Sequence, residues 1–151
     1  MHQAFEISQT SRKVLATFLK DYTLEQLNKI PSGFSNNLIW NIGHIVVVQQ
    51  ILTYKWSGLS MYIPDSFVEK YKRGTKPEED ATQAEVDEIL SYLFETINQT
   101  KADYNTHTFK NYQEFTSQVG FTMRTIEDAI SFNYYHEALH LGMMMQIRKF
   151  I

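Results

Sequence analysis

Cysteine is absent from this 151-residue chain. That excludes disulfides, thiolate zinc sites and a cysteine nucleophile, and it fits a reducing compartment. Proline and glycine are scarce, at three and six residues, so the chain has few points of enforced turning. The N-terminal stretch MHQAFEISQTSRKVL lacks a basic region followed by an apolar one, so no signal peptide is expected. No apolar run approaches the roughly 20 residues needed to span a bilayer. A cytoplasmic protein without membrane partners is the expectation. Basic excess is lacking too. The net charge is −3, and no basic face of the kind that marks nucleic-acid binders is evident. The one basic cluster, Lys70, Lys72, Arg73 and Lys76, lies in a segment containing Gly74 and Pro77. It reads as a solvated loop, or alternatively as a contact for phosphate or another anionic ligand.

What remains is an ordinary globular composition, 43% hydrophobic and 21% charged, in a length suited to one domain over 1–151. Such a chain buries roughly two thirds of its unfolded surface and needs no metal merely to fold. Four helical patterns stand out, and strand signal is nearly absent. The first covers 3–21, with Phe5, Ile7, Val14, Leu15, Phe18 and Leu19 at mostly helical spacing. After a connector with a short turn at Leu24–Leu27, Ser35 or Asn36 can cap a second helix running to about Trp56. A polar stretch, 57–81, precedes a third helix that opens at Thr82 or Gln83 and fades near Asn105. Residues 105–121 read as an aromatic-rich loop. The fourth helix begins near 122–125, where Thr125 and Asp128 have the spacing of a capping box, and runs to the C-terminus. One domain with four helices predicts an all-α four-helix bundle. The connector of about 25 residues after the second helix is too long for antiparallel neighbours and predicts a crossover, hence up-down-down-up topology.

The chemistry concentrates in the last helix. His136-Glu137-Ala138-Leu139-His140 has the H-E-x-x-H form of zinc proteases, in which two histidines hold metal and the glutamate activates water. At 100° per residue, His136, His140, Ala129, Phe132, Met143 and Ile147 share one largely apolar stripe, which should face the core. Two imidazoles one turn apart on such a stripe can share an ion, or can be hydrogen-bonded packing residues. On the second helix His44 shares an inward stripe with Trp40, Val48 and Ile51. An antiparallel pairing would bring it level with His136 and His140. Only 11 residues follow His140, and none is His, Asp, Glu or Cys. A third ligand must therefore come from upstream, which disfavours the protease and makes His44 the candidate.

Glu137 flanks the metal face, as a supporting acceptor, a general base, or a solvated or interface glutamate. Trp40 and Asn41 flank His44 and either line a cofactor pocket or simply pack. Met143 either lines that pocket or fills core. Gly43 and Gly142, costly inside helices, suggest close helix contacts, as at a dimer interface.

The segments GFSNNLIWNIGHIVVVQQILTYKWSG and SFNYYHEALHLGMMMQIRKF resemble the two signature regions of the DinB-like family. One carries a W-x-x-G-H-type histidine on the second helix, the other an H-x-x-x-H pair on the last. The resemblance assigns His44, His136 and His140 as ligands of one divalent metal ion, commonly nickel, zinc or manganese in that family, and implies a homodimer. It also implies that a low-molecular-weight thiol is transferred onto an electrophile. With no cysteine in the chain, the sulfur must arrive on a small molecule, and a thiol that coordinates a metal loses its proton. The alternatives are a hydrolase that uses metal-activated water with Glu137 as base, and a non-catalytic metal-binding stress protein.

Overall fold

The computed structural model describes residues 1–151. The elements are α1 (His2–Asp21), α2 (Leu24–Asn28), α3 (Leu38–Thr53), α4 (Asp65–Tyr71), α5 (Gln83–Asn105), a minimal hairpin of β1 (Phe115–Thr116) and β2 (Thr122–Met123), and α6 (Ile126–Ile147). Short 3-10 turns follow α3 at Lys55–Ser57 and α6 at Arg148–Phe150.

Side-chain capping sets the helix starts. Asn37, one residue beyond the expected caps, accepts from Trp40 N and opens α3. Thr82 and Glu85 form a reciprocal capping box at α5. At α6, Thr125 accepts from Asp128 N, but Asp128 Oδ2 turns to Arg124 N, so only half of the box closes. The polar stretch 57–81 holds α4, which is too short to show a helical period, and the 105–121 loop holds the first strand of the hairpin.

Pairs of contacting residues fix the helix directions. Along α3 and α5 the pairs Gln49–Thr100 and Tyr54–Asp103 advance together, so these helices are parallel. Asn41 meets His140 at one end of the α3–α6 pair, and Leu52 clusters with Ala129 at the other, so these helices are antiparallel. Phe5 clusters with Ile126 and Ile130 while Arg12 meets Glu137, so α1 and α6 are parallel. The arrangement is the expected up-down-down-up bundle. Its main core joins α1, α3, α4 and α5 with the C-terminal half of α6.

α3 packs against both α5 and α6 while α4 covers a third side, so nearly all of it is buried. That matches a sequence apolar around most of its circumference. No helix is long and apolar enough to cross a membrane.

Two inward faces differ from the periodicity reading. On α1 the buried residues are Phe5, Ser8, Arg12, Leu15 and Leu19, with Ala16 and Phe18 beside them, while Ile7 and Val14 are exposed. On α6 the buried residues are Ile126, Ala129, Ile130, Asn133, Glu137, His140, Met144 and Ile147, so Ala129, His140 and Ile147 of the expected stripe are buried while Glu137 joins them. The stripe is thus rotated toward Glu137. Met144, fully buried, takes the place expected for Met143, which is 38% exposed. Charge compensation explains the rotation. Arg12 (0% exposed) and Glu137 (1% exposed) neutralise one another inside the bundle, so each can occupy a core position.

Candidate metal centre

α3 and α6 bring three imidazoles together. His44 comes from the second turn of α3, and His136 and His140 lie one turn apart on α6. Ring centroids are separated by 5.2 Å (His44–His136), 4.8 Å (His44–His140) and 4.6 Å (His136–His140). One ring nitrogen from each residue lies within 4.8 Å of the other two, the scale of a single shared ion. His107 and His2 take no part.

The surroundings orient two of the rings. His44 Nδ1 lies 2.7 Å from the carbonyl oxygen of Tyr71, which can only accept. Nδ1 therefore carries the proton, and Nε2 keeps its lone pair. His140 Nδ1 lies 2.8 Å from Asn41 Oδ1. Asn41 Nδ2 donates to Asn36 Oδ1 and Asn37 O, which fixes Oδ1 as the acceptor and frees Nε2 of His140 in turn. Trp40 stacks on His44 at 4.6 Å and 13°, and its Nε1 donates to Thr75 Oγ1. Hydrogen-bonding the outer nitrogen to hold the inner one ready is the usual support of metal-binding histidines.

Burial keeps all three rings neutral. It is the main cause that lowers the His44 pKa, with the Arg73 guanidinium adding to it against the Tyr71 hydrogen bond. His140 is lowered to about 4 by burial and then by His44. His136 is lowered to about 2 by burial and then by its two histidine neighbours. Neutral imidazole is the ligating form.

The donor set fits a divalent cation. His136 Nδ1 is buried without a partner, and no carboxylate joins the cluster. As plain packing, three clustered imidazoles with an orphaned buried nitrogen are unfavourable. A cation drawing on all three lone pairs offsets that cost.

Glu137, read from the sequence as a supporting acceptor, a general base, or a solvated or interface glutamate, is buried and paired through one oxygen, while its Oε2 is buried without a partner. Its Oε1 accepts from Arg12 Nη2 at 2.8 Å, from Arg12 Nε at 3.2 Å and from Asn133 Nδ2 at 2.8 Å. Arg12 also donates to Leu93 O and Thr96 Oγ1 on α5. The carboxylate therefore ties α6 to α1 and, through Arg12, to α5. Of the residues assigned to a cofactor pocket, Asn41 holds His140, Trp40 covers His44, and Met143 faces outward.

The periodicity reading missed Tyr71. It acts through its backbone carbonyl, which carries no side-chain signature. Gly43 is what lets α4 approach, because a Cβ there would sit 2.6 Å from the Tyr71 ring. The close contact expected of Gly43 is thus made within the chain, while Gly142 faces open space.

The model of the DinB superfamily matches residues 8–144. The chain belongs to the DinB superfamily. All three histidines fall inside the matched span. No curated protein matches the sequence. Among solved structures, one described as the conserved protein of locus from Enterococcus faecalis is similar, with a TM-score of 0.69 and 12% sequence identity. The similarity covers 99% of this chain and 95% of that one, and at this identity it speaks for the fold alone.

Proposed function

We propose that this DinB-superfamily protein is a metal-dependent thiol S-transferase that joins a low-molecular-weight thiol to an electrophile. The supporting observation is the set of three neutral imidazoles, two of them pre-oriented by hydrogen bonds, with no carboxylate among them, in a chain that has no cysteine. Three protein ligands leave coordination positions for a small molecule. A divalent ion such as nickel, zinc or manganese supplies Lewis acidity there, favouring the anionic form of a bound thiol.

The chain's own residues bind and orient. His44, His136 and His140 hold the ion. Tyr71 O and Asn41 keep His44 and His140 in the ligating tautomer, and Trp40 shields His44. Glu137 works through Arg12, holding α6 in the rotation that presents both of its histidines. The hydrolase reading would have to draw on Glu137 Oε2, which is buried without a partner, because Oε1 is taken by Arg12 and Asn133.

Excess metal should raise the melting temperature of the parent protein, since a ligand that binds only the folded state stabilises it by RT ln(1 + [L]/Kd). The gain should largely vanish in His44→Ala and His140→Ala and persist in His107→Ala. Tight stoichiometric binding by His44→Ala would exclude the three-histidine site. Conjugation assays with and without chelator then test the chemistry. Thiol-independent ester turnover would favour the hydrolase, and metal binding without turnover of either kind would favour a non-catalytic metal holder.

A further inference from the structure

The four basic residues of the crossover have different fates. Lys70 pairs with Glu85, and Lys72 with Glu69. Arg73 has no carboxylate within ion-pair distance, and its side chain makes one hydrogen bond, from Nη2 to the neutral Gln118 Oε1. Lys76 lines a separate cavity of about 840 Å³ with Glu69, Glu78 and Glu79, beyond Trp40, and no histidine reaches that cavity.

Arg73 is also the one cation of the four that bridges the crossover to the β1–β2 turn. It follows by two residues the Tyr71 carbonyl that receives His44 Nδ1–H at 2.7 Å. Its partner Gln118 lies in the β1–β2 turn, and Phe121 at the end of that turn rests on Phe132 and Tyr135 of α6, next to His136. Crossover and hairpin therefore meet at Arg73–Gln118, joining the segment that holds His44 through Tyr71 O to the one that packs on α6 beside His136 in the chain. A solvent-accessible guanidinium with one neutral partner keeps most of its five N–H donors for a planar anion.

We propose that Arg73 anchors a carboxylate on the small thiol that enters the three-histidine centre, so that the preferred thiol is a carboxylate-bearing one. This rests on the thiol reading above. The carboxylate would displace or share the Gln118 contact and form charge-assisted hydrogen bonds to the guanidinium while the sulfur end reaches the ion.

The test uses cobalt(II) as a spectroscopic ion and two thiols that differ at one end, 3-mercaptopropionate and the neutral 3-mercapto-1-propanol. Cobalt alone is titrated first. Failure of the parent protein to bind it rejects the three-histidine reading and this inference with it. Failure of the loaded protein to bind either thiol rejects the thiol reading and the anchor together.

If both bind, Arg73→Gln should weaken 3-mercaptopropionate about tenfold, the modest end for a charge-assisted contact that solvent screens. It should leave the alcohol and cobalt affinities within about twofold, while Arg73→Lys restores part of the loss. The parent's preference for the acid should also shrink with added salt. Equal losses for both thiols, or no loss for either, would overturn the anchor and leave the metal site standing.

Discussion

At the scale of single residues, the centre depends on a glycine and a carbonyl as much as on its histidines. Gly43 lies one residue before His44 on α3, and its missing side chain is where the Tyr71 ring sits. A methyl group at 2.6 Å from that ring would force α4 outward and carry the Tyr71 carbonyl away from His44 Nδ1. Gly43→Ala should therefore cost about 1–3 kcal/mol, the usual penalty of overpacking, despite alanine's better helix propensity. It should also weaken metal binding, which Gly142→Ala, facing open space, should not. Urea unfolding and a metal titration on both variants would decide this. A stabilised Gly43→Ala with parental metal affinity would show that the close approach is dispensable. The histidine spacing was readable from the chain because i and i+4 share a helix face. The Tyr71 support was not, since any residue type offers the same backbone oxygen.

At the scale of elements, the buried ion pair sets how α1 and α6 face the core. Arg12 spans α1, α5 and α6 through Leu93 O, Thr96 Oγ1 and Glu137 Oε1. Removing one partner leaves the other charged and uncompensated, so Arg12→Ala or Glu137→Ala should cost about 3–5 kcal/mol. The apolar double variant Arg12→Met/Glu137→Leu should recover much of that loss, because replacing a buried pair with well-packed apolar groups is often near neutral. A double-mutant cycle by chemical denaturation measures this. If Glu137→Ala were as stable as the parent yet abolished turnover, Glu137 would be a catalytic group after all. Periodicity misplaced this face because it assigns charged residues to solvent. Only the matching of Arg12 with Glu137, 125 positions apart, makes both of them core residues.

At the scale of the whole molecule, two properties follow. The first is acid sensitivity. The unfolded histidines take up protons near pH 6.5, while folded His140 holds off to about 4 and His136 to about 2. Between those limits the unfolded chain binds more protons, so stability falls as pH falls. Above pH 6.5 these groups add no dependence. For His140 alone the loss from pH 6.5 to 4 is about 3 kcal/mol. The metal-free protein should lose stability between pH 6.5 and 4.5, above the carboxylate range, and the slope should flatten in His140→Ala. A parent profile level across that window would contradict the burial of the neutral rings.

The second is association. Tyr135, Leu139 and Met143 form an exposed apolar line on α6, with Gly142 open beside it. We expect a homodimer through this face. Light scattering at micromolar concentration should exceed the 17.7 kDa of one chain, and Leu139→Glu should return it to that mass. A clean monomer mass for the parent would refute this.

The sequence by itself determined the four long helices, the crossover topology and the grouping of His44 with His136 and His140. The helices rest on local periods and caps, the topology on the length of one connector, and the histidine grouping on the inward stripes of two helices together with the family resemblance. The tertiary structure alone decided the rotation of α1 and α6, the burial of Glu137, the shelter of His44 by α4 and the contact of Arg73 with Gln118. These depend on which distant groups neutralise, fill or accept from one another. Such pairings have no period along the chain and exist only once the bundle has closed.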